Sequence, residues 1–262
     1  MGVSVISTTL ARTNLYLSLS SEPHLKAFLA SAKLIKLTPS SGHSATAPLP
    51  EGFILPLDSI IALCGSLEDE GTITLIRFVG NNEFARVDSP SAVRFSRVIR
   101  PGYAIFVSED QWMRFGSQVP GFMESMVDFT QGRNALSILN LACYSNHRYS
   151  KRLARLLLDA RSVMSDREEW IPLSQAEIGE LMNTRRETIA VELLALASEG
   201  VIETKRGRIR ILDTDGLRTR SCGCFDKSVA LANHQLSIAK RMFAGIPSHF
   251  TAPSTTKTPR HS

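Results

Sequence analysis

The stretch 170–213, WIPLSQAEIGELMNTRRETIAVELLALASEGVIETKRGRIRILD, constrains this 262-residue chain more than any other part of it. Ser174 precedes a helical run and Glu177 follows three residues later. That is the spacing of a capping box, in which each side chain satisfies the other residue's free backbone N–H. The helix runs through QAEIGELM and stops near Asn183, a residue type that accepts the left-handed backbone conformation. A second helix opens at Arg185-Arg186-Glu187-Thr188, takes its apolar stripe from Ile189, Leu193, Leu194 and Leu196, and ends at Gly200. Two short helices across such a turn form a helix-turn-helix. VIETKRGRIRIL then alternates on either side of Arg206-Gly207, which predicts a β-hairpin, the wing of a winged helix.

The chemistry of these residues suits nucleic acid. In such a motif the second helix enters the major groove with its first residues toward the base edges. Arginine there donates two hydrogen bonds to guanine, and glutamate accepts from the cytosine amino group. A threonine hydroxyl and free helix-terminal amides suit phosphate oxygens. Lys205, Arg206, Arg208 and Arg210 on the hairpin would neutralise backbone charge, so that affinity falls with salt.

Net charge adds less than it first suggests. The formal +5 divides into −2 over residues 1–130, +3 over 131–220 and +4 over 221–262. Such asymmetry fits one part of the chain approaching a polyanion. Yet residues 174–213 hold six basic and seven acidic side chains, so the nucleic-acid reading rests on where the cations sit. The length predicts two domains at about 100–200 residues each. No apolar run nears the ~20 residues of a membrane span, and MGVSVISTTLARTNLY lacks the basic start of a secretory signal. Cysteines at 64, 143, 222 and 224 are too sparse for a disulfide framework, which points to a reducing cytoplasm.

Upstream, residues 1–21 are rich in Ser and Thr without a period and are expected to be flexible. HLKAFLASAKLIKL places Leu25, Phe28, Leu29 and Leu34 like one helical face. From residue 52, FILPLDSIIALCGSL, TITLIRFVG, SAVRFSRVI and YAIFVS are short β-branched or aromatic runs between turn signals, the pattern of an antiparallel sandwich or barrel. A helix of about 25 residues follows, with Pro120 near its start and Phe122, Met126, Phe129, Leu136, Leu139 and Cys143 at spacings of three, four and seven. Such a seam packs either on its own domain or on its copy in a homodimer. In HRYSKRLARLLLDA, Leu153, Leu156, Leu157 and Ala160 form an apolar face; Arg152 and Arg155 are expected on the solvated side, with Arg148 and Lys151 free to reach a phosphate.

The run from Leu173 to Leu196, followed by Glu199-Gly200-Val201-Ile202 and Arg206 to Asp213, resembles the Crp/Fnr family of bacterial transcription regulators. Lys151 to Leu157 resembles the family's segment just before its winged helix. The resemblance is strong over 148–213 and one of pattern over 25–147. It implies an α+β chain: an antiparallel β-roll sensor of the cyclic-nucleotide-binding type at 22–119, a dimerisation helix at 120–147, a winged helix-turn-helix at 148–219 and an extension at 220–262 with a disordered end. The Arg-Glu-Thr triplet makes Arg186 and Glu187 the base-reading pair and Thr188 a phosphate contact. Ser174, Arg185, Lys205, Arg206 and Arg208 become supporting backbone contacts, and Phe122, Met126, Phe129, Leu136 and Leu139 the dimer seam. The implied partners are double-stranded DNA, a second copy of the chain and RNA polymerase, with no membrane.

Three departures from the family pattern shape the remaining expectations. A position the family commonly fills with a further Arg is Val191 here. FVGNNEFARVDSPSAVRF has Glu83 and Arg86 but not the spacing or small residues of a cyclic-phosphate site, so cyclic nucleotide is disfavoured. The first cysteine is Cys64, which excludes the family's N-terminal iron–sulfur cluster. No cofactor or metal is therefore expected. Cys222-Gly-Cys224, with one intervening residue and no second pair in sequence, is a weak metal signal and a candidate redox thiol pair; Cys143 or His234 would have to complete it. His43, His147 and His234 are isolated and read as surface or capping residues. No nucleophile elbow, Walker A loop or G-x-G-x-x-G occurs, so no enzyme is expected. The competing expectation is a small-molecule- or partner-binding module whose winged helix docks protein.

Overall fold

The computed structural model describes residues 6–20, 22–38, 49–67, 72–87, 94–117, 121–164 and 169–244. Helical turns α1 (Thr8–Ala11) and α2 (Leu15–Ser18) and helix α3 (Glu22–Ser31) come first. Seven strands follow: β1 (Lys33–Leu37), β2 (Gly52–Pro56), β3 (Ile60–Leu67), β4 (Thr72–Val79), β5 (Ala85–Val87), β6 (Arg94–Arg100) and β7 (Gly102–Val107). Then come α4 (Glu109–Gly116), α5 (Phe122–Asn146), α6 (Tyr149–Ser162), β8 (Trp170–Ile171), α7 (Gln175–Leu181) and α8 (Arg186–Ser198). The chain continues with β9 (Ile202–Lys205), β10 (Arg208–Ile211), α9 (Thr214–Arg220) and α10 (Cys224–Ala244).

The seven strands form two antiparallel sheets, ordered β1-β7-β2-β5 and β4-β3-β6. Successive strand residues face opposite sides. Ile54, Ala104 and Phe106 from the first sheet therefore meet Ile61, Leu63, Val79 and Val98 from the second, and these side chains fill the interior of the roll. The outer face of the first sheet, Phe53, Leu55, Ile105 and Val107, packs on a second core with Tyr16, Phe28, Phe84, Trp112, Phe122 and Phe129. Within it Trp112 stacks on Phe53 with ring centroids 4.2 Å apart. The outer face of the second sheet shares a third core with α6 and the winged helix, joining Ile60, Leu75 and Phe78 to Leu153, Leu157 and Ile178. Cys64 lies in this core as a small apolar residue, and burial pushes its thiol up to about 12.

The structure corrects four expectations. Residues 6–20 are not a period-free tail: Ile6, Ala11, Tyr16 and Leu17 are buried, and the Asn14 amide donates to Pro56 O at 2.8 Å and Glu83 O at 2.9 Å. The helix at HLKAFLASAKLIKL ends at Ser31, and Leu34 belongs to strand β1, because edge pairing with β7 overrides the helical spacing. Arg155 is not solvated; at 6% exposure it lies beneath α5. Arg152 is half-buried, donates to Met182 O at 3.2 Å where α7 ends, and stacks over the Tyr144 ring. Arg148 and Lys151 are exposed.

The fourth correction concerns α5. Its 25 residues match the expected length, but Phe122 and Phe129 turn into the chain's own second core, Leu136 is buried where α5 borders a cleft, and Met126 and Leu139 are partly buried against their own chain. Helix α10 lies along α5, with the Gln235 amide seated where Gly132 has no side chain. Apolar residues free on α5 are Met123, Val127, Ile138 and Leu141, the last two 59% and 69% exposed. Pro120 and residues 247–262 lie outside the described residues.

Candidate nucleic-acid interface

Local signals build the C-terminal motif. Ser174 caps α7 in the reciprocal box: its N donates to Glu177 Oε2 at 2.8 Å, and Glu177 N donates to Ser174 Oγ at 3.2 Å. Asn183, with φ 48°, is the turn residue after α7. Thr184 N then donates back to Gly179 O at 2.8 Å, which closes the turn tightly. Arg185 is the N-cap of α8, so the positive end of the helix dipole and its free amides lie beside Arg186, Glu187 and Thr188. Ile189 and Leu193 anchor the opposite face in the third core.

Arg185, Arg186 and Glu187 are exposed and make no ion pair among the described residues. Thr188 is half-buried beside them. Val191 and Leu194 are exposed on the same side of α8, one and two turns further on. The start of the helix thus offers two free guanidinium groups, one carboxylate and an apolar strip.

The wing forms as a three-stranded sheet, β8-β10-β9, with Gly207 at φ 75° in its turn. Strand β8 was not legible in the sequence because it is two residues long. Its Trp170 carries Lys205, Arg208 and Arg210 over its ring, at 4.5, 4.8 and 5.1 Å from the ring centroid. Arg210 pairs with Glu203 at 2.5 Å and Glu169 at 3.0 Å and holds the Glu203 carboxyl below the usual carboxylate range. Lys205 also reaches Glu203, at 3.3 Å. Arg210 is therefore spent on holding the wing together, while Lys205, Arg206 and Arg208 remain exposed.

Glu83 and Arg86, from the segment where the sequence disfavours a cyclic-phosphate site, do not converge. Glu83 is bound by Arg77 and by Arg133 of α5, whereas Arg86 pairs with Glu109 at 3.1 Å on the surface. A cleft of about 270 Å³ lies between β4, α5, α6 and α10, lined by Arg77, Glu83, Asn140, Tyr144, Arg152 and Arg155 among others. Between the roll and the winged helix, Arg97 of β6 pairs with Glu180 of α7 at 2.5 Å.

The fold also brings Cys222 and Cys224 to Cys143 and His147, while His234 stands exposed on α10 and outside this group. The available signal was Cys143-x₃-His147, one turn apart at the end of a helix, which puts both side chains on one face.

A winged helix with exposed Arg-Arg-Glu at the start of its second helix, joined to an antiparallel β-roll, defines the class: a helix-turn-helix domain carried on a roll. Residues 151–220 match the model of the Crp-like helix-turn-helix domain. The fold is similar to FixK2 from Bradyrhizobium japonicum, with 13% identity, a TM-score of 0.58, and coverage of 73% of this chain and 98% of that one. A crp/fnr-family transcriptional regulator from Eubacterium rectale matches at 15% identity and a TM-score of 0.55, over 76% and 94% of the two chains. The c-di-GMP responsive global regulator CLP from Xanthomonas campestris matches at 15% and 0.52, over 73% and 99%. No curated protein matches the chain by sequence. Residues 151–220 are thus a Crp-like helix-turn-helix domain, carried on a chain whose fold is that of the Crp/Fnr-type structures it is similar to. No helix among the described residues is long and apolar enough to cross a membrane.

Proposed function

We propose that the protein is a homodimeric, sequence-specific DNA-binding regulator in which α8 reads the major groove, the wing holds the backbone and RNA polymerase is the downstream partner. The observation that carries this is the unpaired Arg185-Arg186-Glu187 set at the exposed start of α8. Arg186 and Glu187 read base edges; Ser174, Arg185, Thr188, Lys205, Arg206 and Arg208 take the phosphates. Val191, at the position where the family it resembles commonly has a further arginine, and Leu194 supply apolar contact to thymine methyl groups. The dimer sets two half-sites about one DNA turn apart. The roll interior is filled by apolar side chains, so a small-molecule signal acts at the cleft between roll and helices and reaches α7 through Arg97 and Glu180.

Arg186→Ala is expected to cost ~1–3 kcal/mol per subunit at its base pair and to relax specificity there alone, as read by gel shift and footprinting on sites selected from genomic DNA. Unchanged affinity and footprint would remove α8 from base reading. Arg206→Ala should weaken binding equally on cognate and random DNA and flatten the slope of log K against log salt by about 1 per subunit. A loss confined to one sequence would make Arg206 a base contact instead.

A further inference from the structure

Three of the chain's four cysteines and one of its six histidines meet at a single point. Cys143 lies in the last turn of α5, and His147 is the C-cap joining α5 to α6. Cys222 and Cys224 stand where α9 gives way to α10. Their four ligand atoms all lie within 4.8 Å of one another. Cys143 Sγ is 3.5 Å from Cys222 Sγ, and Cys224 Sγ is 3.7 Å from His147 Nδ1. Tetrahedral zinc holds sulfur at about 2.3 Å and imidazole nitrogen at about 2.0–2.1 Å, which makes the edges of its ligand tetrahedron about 3.5–3.8 Å. Those two separations already have that length.

Packing alone does not account for the group. Cys64 sits among aliphatic side chains, as a cysteine serving as a small hydrophobe does. The other three are the only buried members of their cluster among the described residues, with Leu139 partly buried against them. Arg155 lies beside Cys143, near enough for its charge to favour the thiolate, and is fixed by Asn140 at 2.5 Å and Asp159 at 3.2 Å. Three thiolates and an imidazole around a divalent ion leave one negative charge, and a buried guanidinium beside them offsets it. The N/S donor set and its closed, four-ligand form suit a structural zinc-class ion.

We infer that Cys143, His147, Cys222 and Cys224 form a Cys₃His site for a zinc-class divalent cation, which fastens both ends of the winged helix to the end of α5. Residues 148–221, the whole DNA-binding domain, are the loop that this ion closes. Metal occupancy therefore ties the domain to the end of α5 in addition to the core it shares with the roll, and losing the ion removes that tie.

The full chain, purified with reductant and without chelator, is expected to carry about one zinc, measured by elemental analysis. Cobalt(II) added to metal-stripped protein should give the visible bands of a tetrahedral thiolate site. Cys222→Ser with Cys224→Ser should lose the ion, Cys64→Ser should keep it, and His147→Cys should keep it as a four-sulfur site. Chelation should weaken specific DNA binding at least tenfold, with zinc restoring it. Circular dichroism of the double variant separates loss of the site from failure to fold. Zinc retained by a folded double variant, octahedral cobalt spectra, bound iron in place of zinc, or three freely alkylated thiols in the untreated protein would each overturn the assignment.

Discussion

Replacing both Ile138 and Leu141 by glutamate is expected to turn the protein into a folded monomer whose affinity for a two-half-site operator falls by about 10²–10⁴-fold. Helix α5 carries two apolar stripes. One, through Phe122, Ser125, Phe129, Leu136 and Cys143, is buried in its own chain. The other, through Met123, Val127, Ile138 and Leu141, is exposed and recurs at helical spacing. A second α5 laid on that outer stripe buries it in both copies, and four glutamates brought together across such a seam repel one another. Neither side chain touches the cores, so the monomer should melt near the parent temperature; light scattering after gel filtration reads its mass. Phe129→Ala is the opposite case. It empties a site stacked on Phe84 at 4.6 Å, should cost about 3–5 kcal/mol of stability, and should leave the dimer intact. A glutamate variant that stays dimeric would place the subunit contact away from α5.

The same helix shows why some of this molecule was legible in its sequence and some was not. The capping box at Ser174 and Glu177, the left-handed Asn183 and the Arg206-Gly207 turn are decided within four residues of chain, and each formed as read. Roles that depend on distant partners were not readable. The spacing of Phe122, Phe129 and Leu136 fits either a dimer seam or a core stripe, and only the position of α10 and the roll decides between them. Arg155 has the spacing of a surface cation, and its burial depends on Asn140 and Asp159 at its guanidinium and on Cys143 beside it. Leu34 continues a helical spacing along the chain, while the strand that pairs with it, β7, lies some 70 residues away in sequence. His147 and Cys222 are likewise neighbours only after the winged helix has closed on itself.

Within the DNA reader, Gly179 is the position where the smallest change should have the largest effect. It lies buried in α7 beneath the turn to α8. A Cβ there would stand 2.9 Å from Thr184 O and 3.5 Å from Arg186 N, both backbone atoms that cannot swing aside. Gly179→Val adds two methyl groups beyond that Cβ, so the turn must retreat, at an overpacking cost of about 1–3 kcal/mol. Ile178 and Leu181 on one side and Ile189 and Leu193 on the other are held in the core, so the turn can relax only by rotating the first turn of α8. A displacement near 1 Å breaks bidentate pairing to a base edge, which is worth ~1–3 kcal/mol for each subunit. Two subunits acting together lose ~2–6 kcal/mol, roughly a 30- to 10⁴-fold fall in specific affinity. Binding to random DNA should change little, because the wing cations and their Trp170 platform lie on another element. Measuring both affinities at one salt concentration separates the two terms: an equal loss on cognate and random DNA would mean that the whole domain had unfolded, whereas undiminished specific binding would mean that the α7–α8 crossing does not set the register of Arg186 in the groove.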